Sequence, residues 1–288
     1  MTVSLIASIT ELRAELDGAR RDGRTVGFVP TMGYLHDGHV SLMERARADC
    51  DVVVASIFVN PLQFAAGEDL DVYPRDLDGD TRRANDAGVD LLFVPTVDEM
   101  YPRPVLTTVT VTGVSETLEG TARPTHFAGV ATVVAKLFAI VGPCRAYFGE
   151  KDFQQLAVIR RMASDLSLPV DVVGCPTVRE DDGLARSSRN VYLSQAERSA
   201  ATILIRALRD GADAIADGQL DAGLVRSLMR EVIAGEPLAE LDYIDIVDAQ
   251  TLAPVAHCGP DSRLLGAVRF GRTRLIDNVG VPPVGREQ

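Results

Sequence analysis

Two histidines, His36 and His39, flank a glycine between an apolar run at residues 25–30 and a helical pattern from Val40 onward. The free N–H groups and positive dipole end of a helix N-terminus favour a bound phosphate. Imidazoles that donate hydrogen bonds at the same place would add to that preference. A metal site would need a third ligand, and Asp37 would point elsewhere in a tight turn. The pair therefore predicts a phosphate-binding turn.

Two later segments carry further groups suited to a polyphosphate. Lys151 follows a strand-like run and a glycine, where its ammonium would act either as a point charge for phosphate or as a solvated surface group. Residues 184–190 place two serines between arginines. Such a loop can stabilise the charge on a leaving pyrophosphate, and it is also typical of a mobile linker. The chain has no Walker A, GxGxxG or GxSxG sequence, which excludes those phosphate loops and that serine-hydrolase turn.

The histidine pair and Lys151 both follow predicted strands. Short apolar runs separated by helical patterns predict an α/β fold, a Rossmann-like doubly wound parallel sheet, over residues 1–176. The strands are predicted at 25–30, 51–59, 91–95, 145–148 and 170–173. Ligands bind beyond the carboxyl ends of such strands. A surface helix is predicted at 9–22, before the first strand, and alternating Thr and Val at 107–112 favour an edge strand at a subunit contact.

A smaller α+β domain is predicted for residues 177–288, as a lid over the nucleotide. Its helices are predicted at 195–216 and 221–233, and its strands at 243–247, 264–269 and 273–278. A hairpin turn at Gly271 and Arg272 suits the last two strands.

Composition limits the function classes. The net charge of −12 disfavours a nucleic-acid surface, and no run reaches membrane-spanning length. The four cysteines form no CxxC pair and no zinc spacing, which favours buried thiols in a reducing compartment. Together with the absence of a basic leader before an apolar core, this predicts a cytoplasmic protein.

The His-Gly-His turn together with a late Ser-Ser-Arg loop resembles the HIGH/KMSKS nucleotidyl-transfer superfamily and, within it, the pantothenate synthetase family. The matching stretches follow in the expected order: PTMGYLHDGH at 30–39, FVNPLQF at 58–64, YPR at 73–75, RPTHFAGV at 123–130, FGEKDFQQ at 148–155, VRE at 178–180 and SSRN at 187–190, with a looser LIDN at 275–278. Individually these stretches are weak signals, but together they are specific.

The resemblance implies that ATP, pantoate and β-alanine give pantothenate, AMP and pyrophosphate through a pantoyl adenylate. The implied phosphate and catalytic contacts are His36, His39, Lys151, Ser187, Ser188 and Arg189. The implied substrate residues are Gln63 and Gln155 for pantoate, Met32 and Asn60 at the reacting centre, and Tyr73, Arg123 and His126 near the second substrate, although His126 by itself favours a structural role. The implied nucleotide contacts are Gly149 and Asp152 at the ribose and Val178 at the adenine, with Met32 also lining the ATP site.

The resemblance also implies Mg²⁺ with ATP, near Asp80, and a homodimer. Two positions depart from the family pattern: Arg186 stands where Met or Leu is common, and Gly79 stands where another acid is found. Two other functions stay open at this point. The histidine turn would equally serve a nucleotidyltransferase with a stable nucleotidylated product, and the fold would serve a nucleotide sensor without turnover. A tRNA-charging role is disfavoured by the net charge and by the small second domain.

Overall fold

The computed structural model describes residues 2–64, 70 and 73–282. Its chain falls into two compact units. The first comprises the residues up to Glu150 together with Gln154–Val178, and the second comprises Lys151–Phe153 together with the chain from Arg179 onward. No helix of the described residues is long and apolar enough to cross a membrane.

The first unit is built on a parallel sheet. Within the described residues its strands are β1 (Ser4–Ile6), β2 (Val26–Thr31), β3 (Val52–Ile57), β4 (Leu91–Phe93), β5 (Cys144–Gly149) and β6 (Val170–Cys175). Their order across the sheet is β1-β4-β3-β2-β5-β6. The chain moves outward from β2 to β3 and β4, then returns to β5 on the other side of β2. The carboxyl ends of β2 and β5 therefore form the point of reversal at which such sheets bind ligands.

Helices cover this sheet. They are α1 (Ile9–Arg21), α2 (Asp37–Asp49), α3 (Leu77–Asp86), α4 (Val97–Met100), α5 (Glu119–Ala122), α6 (His126–Val141) and α7 (Phe153–Asp165). Met43 and Ala46 of α2 join Val53 and Ala55 of β3 in one buried cluster. Because parallel strands are buried on both faces, the runs that form them are almost wholly apolar, as in Val52-Val53-Val54.

The second unit packs helices on an antiparallel sheet. The sheet has the order β7 (Glu240–Asp248), β8 (Ser262–Phe270) and β9 (Thr273–Gly280) in the described residues. The helices are α8 (Gln195–Ala200), α9 (Thr202–Ala216) and α10 (Ala222–Ala234). Gly271, with φ +57°, lies in the turn between β8 and β9, so the predicted hairpin is confirmed.

Two element predictions were wrong. Strand β1 precedes α1 and pairs with β4; its three residues are too few to show periodicity. Residues 107–112 form no strand, because Val109 N–H bonds Thr132 Oγ1 of α6 at 3.0 Å instead of a strand partner. The predicted thiols are confirmed as free: Cys50, Cys175 and Cys258 are buried and Cys144 is half-buried.

Candidate active site

The turn between β2 and α2 places the two histidines. Gly33 and Tyr34 both adopt positive φ, +85° and +51°, so the chain reverses within two residues. A Cβ on Gly33 would lie 2.9 Å from Ile57 Cγ2, which explains the glycine there. His36 is then the N-cap of α2, with extended backbone.

Both histidines use Nδ1 as an acceptor for backbone N–H groups. Gly38 N–H donates to His36 Nδ1 at 3.1 Å, and His36 N–H donates to His39 Nδ1 at 3.3 Å. A backbone amide can only donate, so the proton of each neutral ring lies on Nε2. The rings lie 4.1 Å apart between centroids. The cap thus sets two Nε2–H donors side by side at a helix N-terminus.

Asp80 of α3 holds this turn. Its side chain is 3% exposed, and its carboxylate accepts from Tyr34 N–H at 2.8 Å and from Leu35 N–H at 2.6 Å. Burial raises the pKa of Asp80, and the two backbone hydrogen bonds partly oppose that shift. Asp80 therefore positions the chain that leads into His36.

A resident magnesium ion does not fit the residues near Asp80. Both of its oxygens are bound to backbone N–H groups. Within the part of the chain that the structure describes, no group of three or more His, Cys, Asp or Glu side chains could hold a metal ion. The predicted ligand role of Asp80 gains no support from this geometry.

A short 3₁₀ turn after β3, Pro61–Gln63, carries the predicted amides. Asn60 is 1% exposed and Gln63 is 8% exposed. Asn60 Nδ2 donates to Gln63 Oε1 at 3.2 Å, and Gln63 Nε2 faces Met32 Sδ at 2.8 Å. Met32 and Asn60, predicted for the reacting centre, and Gln63, predicted for pantoate, thus form one connected group.

The start of α6 meets the same turn. His126 Nδ1 lies 3.0 Å from the carbonyl oxygen of Gln63, and a carbonyl only accepts, so Nδ1 of this ring carries the proton. The guanidinium of Arg123 approaches the same oxygen at 3.5 Å. A Cβ on Gly129 would lie 2.1 Å from Leu62 O. The glycine therefore allows α6 to approach the 3₁₀ turn.

The remaining predicted residues of the first unit lie at loop ends and helix starts. Tyr73 is 6% exposed and packs edge-on against Phe64, with centroids 6.2 Å apart. Gly149 ends β5, at the point of reversal of the sheet. Gln155 in the first turn of α7 and Val178 after β6 are half-buried.

The predicted lysine belongs to the second unit. Lys151 Nζ lies 3.4 Å from Asp152 Oδ1, and its carbonyl accepts from Asn278 Nδ2 at 2.9 Å. Asn278 Oδ1 in turn accepts from Arg263 Nε at 2.7 Å. Residue 278 of β9 thus fixes the backbone of the lysine, which gives a role to the looser LIDN match.

The loop with the two serines has a local cap, and the chain that leads into it from Arg179 is tied to β9. Ser187 caps the 3₁₀ segment Ser188–Tyr192 by accepting from Arg189 N–H at 3.3 Å. Before the loop, Arg179 forms a bidentate pair with Asp277 at 2.7 and 2.9 Å. Asp277 is 5% exposed, so this pair is strongly coupled.

Arg198 holds the residues that lead into this loop. It binds Glu180 at 2.6 Å and Asp182 at 2.7 Å, and its hydrogen bond lowers the pKa of Asp182. Arg186, the departure from the family pattern, is half-buried. The Ser187 cap, the Arg179–Asp277 pair and the ion pairs of Arg198 give this loop a defined structure.

Four residues that hold the site were assigned no role from the sequence, although three of them lie in the matching stretches. They are Tyr101, which bonds Asn60; Gln154, which holds the loop at residues 114–119; and Asp277 and Asn278. Gln154 is 3% exposed and fully bonded, whereas its neighbour Gln155 is half-buried. Two adjacent glutamines in a helix gave no signal for that difference.

The family model described as pantoate-beta-alanine ligase matches residues 4–280. The chain belongs to the pantoate-β-alanine ligase family. It is 57% identical over 277 residues to a pantothenate synthetase of Heliobacterium modesticaldum, covering 96% of this chain and 99% of the relative. A pantothenate synthetase of Sinorhizobium medicae is also 57% identical, over 279 residues, covering 96% of each chain.

Solved structures of this ligase family share the fold. The pantothenate synthetase of Thermus thermophilus has a TM-score of 0.92 and 51% identity, covering 98% of this chain and 100% of that one. A pantoate-beta-alanine ligase from Francisella tularensis, complexed with beta-gamma ATP and beta-alanine, has a TM-score of 0.79 and 32% identity, covering 97% and 98%. The predicted family and fold class are confirmed, and the chain is a ligase.

Proposed function

We propose that the chain condenses pantoate with β-alanine, consumes ATP, and releases AMP and pyrophosphate through a pantoyl adenylate. The observation that carries this proposal is the family match over residues 4–280. The Nε2–H donors of His36 and His39, which lie at the point of reversal of the sheet, give the proposal its chemistry.

The first step activates an unreactive acid. A carboxylate is a poor acyl donor because oxide is a poor leaving group. A pantoate carboxylate oxygen attacks the α-phosphorus of ATP, and the bond to pyrophosphate breaks. The phosphates need charge stabilisation and alignment rather than a protein nucleophile. In this proposal those donors are His36, His39, Lys151, Ser187, Ser188 and Arg189.

The second step forms the amide. The neutral amine of β-alanine attacks the acyl carbon, the acyl–oxygen bond to AMP breaks, and the amine releases a proton. Gln63 and Gln155 hold pantoate, with Met32 and Asn60 at the reacting centre. Arg123, His126 and Tyr73 lie toward the second substrate. Gly149 and Asp152 meet the ribose, Met32 also lines the ATP site, and the backbone of Val178 meets the adenine.

Magnesium enters this proposal as part of the substrate. Mg²⁺ is commonly bound by nucleotide phosphates with few protein ligands, which agrees with the lack of a metal cluster among the described side chains. MgATP is therefore the form in which ATP binds, and the role of Asp80 is to hold the turn at Tyr34 and Leu35.

Three further proposals concern the whole chain. The domain of residues 1–176 holds ATP and pantoate, and that of residues 177–288 closes over them as a lid. The protein acts in the cytoplasm, without a nucleic-acid or membrane partner. It forms a homodimer whose contact includes residues 107–112 and the neighbouring Leu106, which lies on an irregular segment and is 94% exposed.

Isotope exchange tests the adenylate. Purified protein with MgATP, pantoate and labelled pyrophosphate should exchange label into ATP without β-alanine, and it should not do so without pantoate. Adding β-alanine should then release free AMP at every turnover. A nucleotidylated product in place of AMP would favour the nucleotidyltransferase, and ATP binding without turnover would favour the sensor.

A further inference from the structure

Tyr101 lies against the pantoate-binding residues although no sequence motif contains it. It follows α4, and its ring packs edge-on against Phe58, with centroids 5.9 Å apart. Lys136 Nζ lies 5.8 Å from the ring centroid. The phenol O–H donates to Asn60 Oδ1 at 2.9 Å. Burial raises the pKa of Tyr101 to about 12, so the phenol keeps the proton that it donates.

Two backbone groups, one that can only donate a hydrogen bond and one that can only accept, fix the orientation of the Asn60 amide. Leu62 N–H, which can only donate, lies 3.3 Å from Asn60 Oδ1. The carbonyl of Gly129, which can only accept, lies 3.2 Å from Asn60 Nδ2. The amide therefore cannot be reversed without placing donor against donor and acceptor against acceptor. Of its four hydrogen bonds, the one from Tyr101 is the shortest.

The orientation of Asn60 determines that of Gln63. Asn60 Nδ2 donates to the Gln63 side chain, so the atom that faces it must be Oε1. Gln63 Nε2 is then turned toward Met32 Sδ, and a thioether is a weak acceptor. Gln63 accordingly presents its N–H₂ donors, rather than its carbonyl, on the side of Met32.

We propose that Tyr101 is a positioning residue: backbone groups set the orientation of the Asn60 amide, and the Tyr101 hydroxyl, through the shortest hydrogen bond to that amide, holds it in the position that keeps Gln63 as a hydrogen-bond donor to a pantoate oxygen. This inference rests on the proposed function. A hydroxyl or carboxylate oxygen of pantoate accepts from such a donor, whereas a reversed Gln63 amide would place its carbonyl oxygen against the carboxylate. The phenol thus contributes to selection for an acceptor-rich acid without touching it.

The first test compares the half-buried phenol of Tyr101 with the buried phenol of Tyr147. Tyr101→Phe removes one hydrogen bond to Asn60, and it should raise the KM for pantoate about three- to tenfold, the range for a single net hydrogen bond, while leaving the KM for ATP within about twofold. Tyr147→Phe is the matched control. Its hydroxyl, on β5, bonds Asp49 at 3.1 Å, so its loss should leave the KM for pantoate unchanged. An unchanged KM for pantoate in Tyr101→Phe, or an equal rise for ATP, would overturn the proposal.

A double-mutant cycle separates positioning from general packing. If Tyr101 acts through Gln63, adding Tyr101→Phe to Gln63→Ala should change the KM for pantoate by less than about twofold. The same fold-change in both backgrounds would mean that Tyr101 acts independently of Gln63, and the proposal would fail.

If Tyr101→Phe folds poorly, Gln63→Glu tests the donor role of Gln63 directly. Asn60 Nδ2 can still donate to one carboxylate oxygen, and the other oxygen replaces the N–H₂ group. Pantoate binding should fall by more than about tenfold, as expected when a hydrogen bond to a charged group is lost; binding like that of wild type would refute the donor role. Pantoate-dependent exchange in the wild-type enzyme, measured in the same assay, separates a failure of this inference from a failure of the proposed function.

Discussion

The histidines of the site carry their protons on different nitrogens, and backbone groups decide which. Two amide N–H groups hold His36 and His39 with the proton on Nε2, and a carbonyl holds His126 with the proton on Nδ1. A neutral His126 therefore offers an Nε2 lone pair, whereas the other two rings offer Nε2–H donors. His36 and His39 are thus suited to donate hydrogen bonds to phosphate oxygens, whereas His126 is suited to accept a hydrogen bond from a proton-bearing group.

His36→Asn distinguishes the cap from the phosphate contact. An asparagine oxygen can replace Nδ1 as the acceptor for Gly38 N–H, but the side chain has no equivalent of Nε2–H. We expect kcat to fall about 10²-fold in His36→Asn, as when one preorganised donor is lost, with the melting temperature near that of wild type. His36→Ala should lose the cap as well, about 1 kcal/mol of stability.

Matched variants complete that test. His39→Ala and Lys151→Ala should lower kcat by a similar factor. His257→Ala, at an exposed position outside the site, should leave kcat unchanged. Folded His36→Asn protein with wild-type activity would show that the histidine turn does not contact the phosphates.

Asp80→Asn tests the anchor of the turn through pH. Because burial raises the pKa of Asp80 in the folded protein, the folded state binds this proton more tightly than the unfolded chain. Its contribution to the free energy of unfolding is complete below the ordinary Asp pKa and is lost as the pH rises through the raised value. The asparagine variant should lack this part of the pH dependence in urea unfolding, which begins near the ordinary Asp pKa of about 3.9 and extends above it.

The same variant should also affect activity. An amide cannot accept from both Tyr34 and Leu35 N–H groups through two oxygens, so one buried N–H loses its partner, at a cost of about 1–3 kcal/mol. The turn should loosen and kcat/KM for ATP should fall. Asp182→Asn is a control in which the pH dependence of stability has the opposite sign. The pKa of Asp182 is lowered, so its contribution to the free energy of unfolding is lost as the pH falls. An Asp80→Asn protein with the stability and the kcat/KM for ATP of wild type would contradict the anchoring role.

At the scale of elements, the contact between α6 and the 3₁₀ turn depends on one glycine. Gly129→Ala would place a methyl group 2.1 Å from Leu62 O and 2.6 Å from Gln63 Cα, and neither backbone atom can yield without moving the turn. We expect a loss of about 1–3 kcal/mol of stability and a higher KM for pantoate, because Gln63 moves with the turn.

A second helical glycine provides the comparison. In α1, a Cβ on Gly18 would meet only Arg21 Nη2, at 3.8 Å. Gly18→Ala should raise the free energy of unfolding by about 0.5–1 kcal/mol and leave both KM values unchanged. Chemical denaturation and steady-state kinetics on the two variants measure both effects. A stable Gly129→Ala protein with unchanged kinetics would show that the close approach of α6 is dispensable.

At the scale of the whole molecule, the proposed homodimer makes a prediction at Leu106. This side chain is 94% exposed on an irregular segment, and Leu106→Asp should place a charge in the proposed contact. We expect wild type to sediment as a dimer and Leu106→Asp as a monomer. Leu166→Asp, at a 52% exposed leucine after α7, should remain a dimer. A wild-type monomer at micromolar concentration would contradict the proposed assembly.

The sequence predicted those parts of the fold whose signal is local. The run Val52-Val53-Val54 and the hairpin at Gly271 contain the information for their own structure, and both were found. Strand β1 was missed because it is three residues long and depends on pairing with β4, more than eighty residues away. Likewise, the alternation at residues 107–112 suggested a strand, but its backbone bonds to α6 instead.

The candidate site follows the same rule. Residues in motifs, such as His36 and Gln63, were predicted from the sequence, whereas residues that hold them were not. Tyr101, which no motif contains, makes its contact 41 positions away in the chain, and Asp277, which lies in the loose LIDN match without an assigned role, makes its contact 98 positions away. No spacing or periodicity connects such pairs, because the fold alone brings them together.

The buried thiols have a practical consequence for labelling. Maleimides react with the thiolate, and burial raises the pKa of Cys144 to about 12 and also raises the pKa of Cys175 and Cys258. Cys50 is buried as well. A cysteine introduced at Leu166, the 52% exposed leucine outside the proposed contact, should therefore react well ahead of the native thiols. One fluorophore per chain could be attached there without deleting any native cysteine, and energy transfer between labelled copies would report their association.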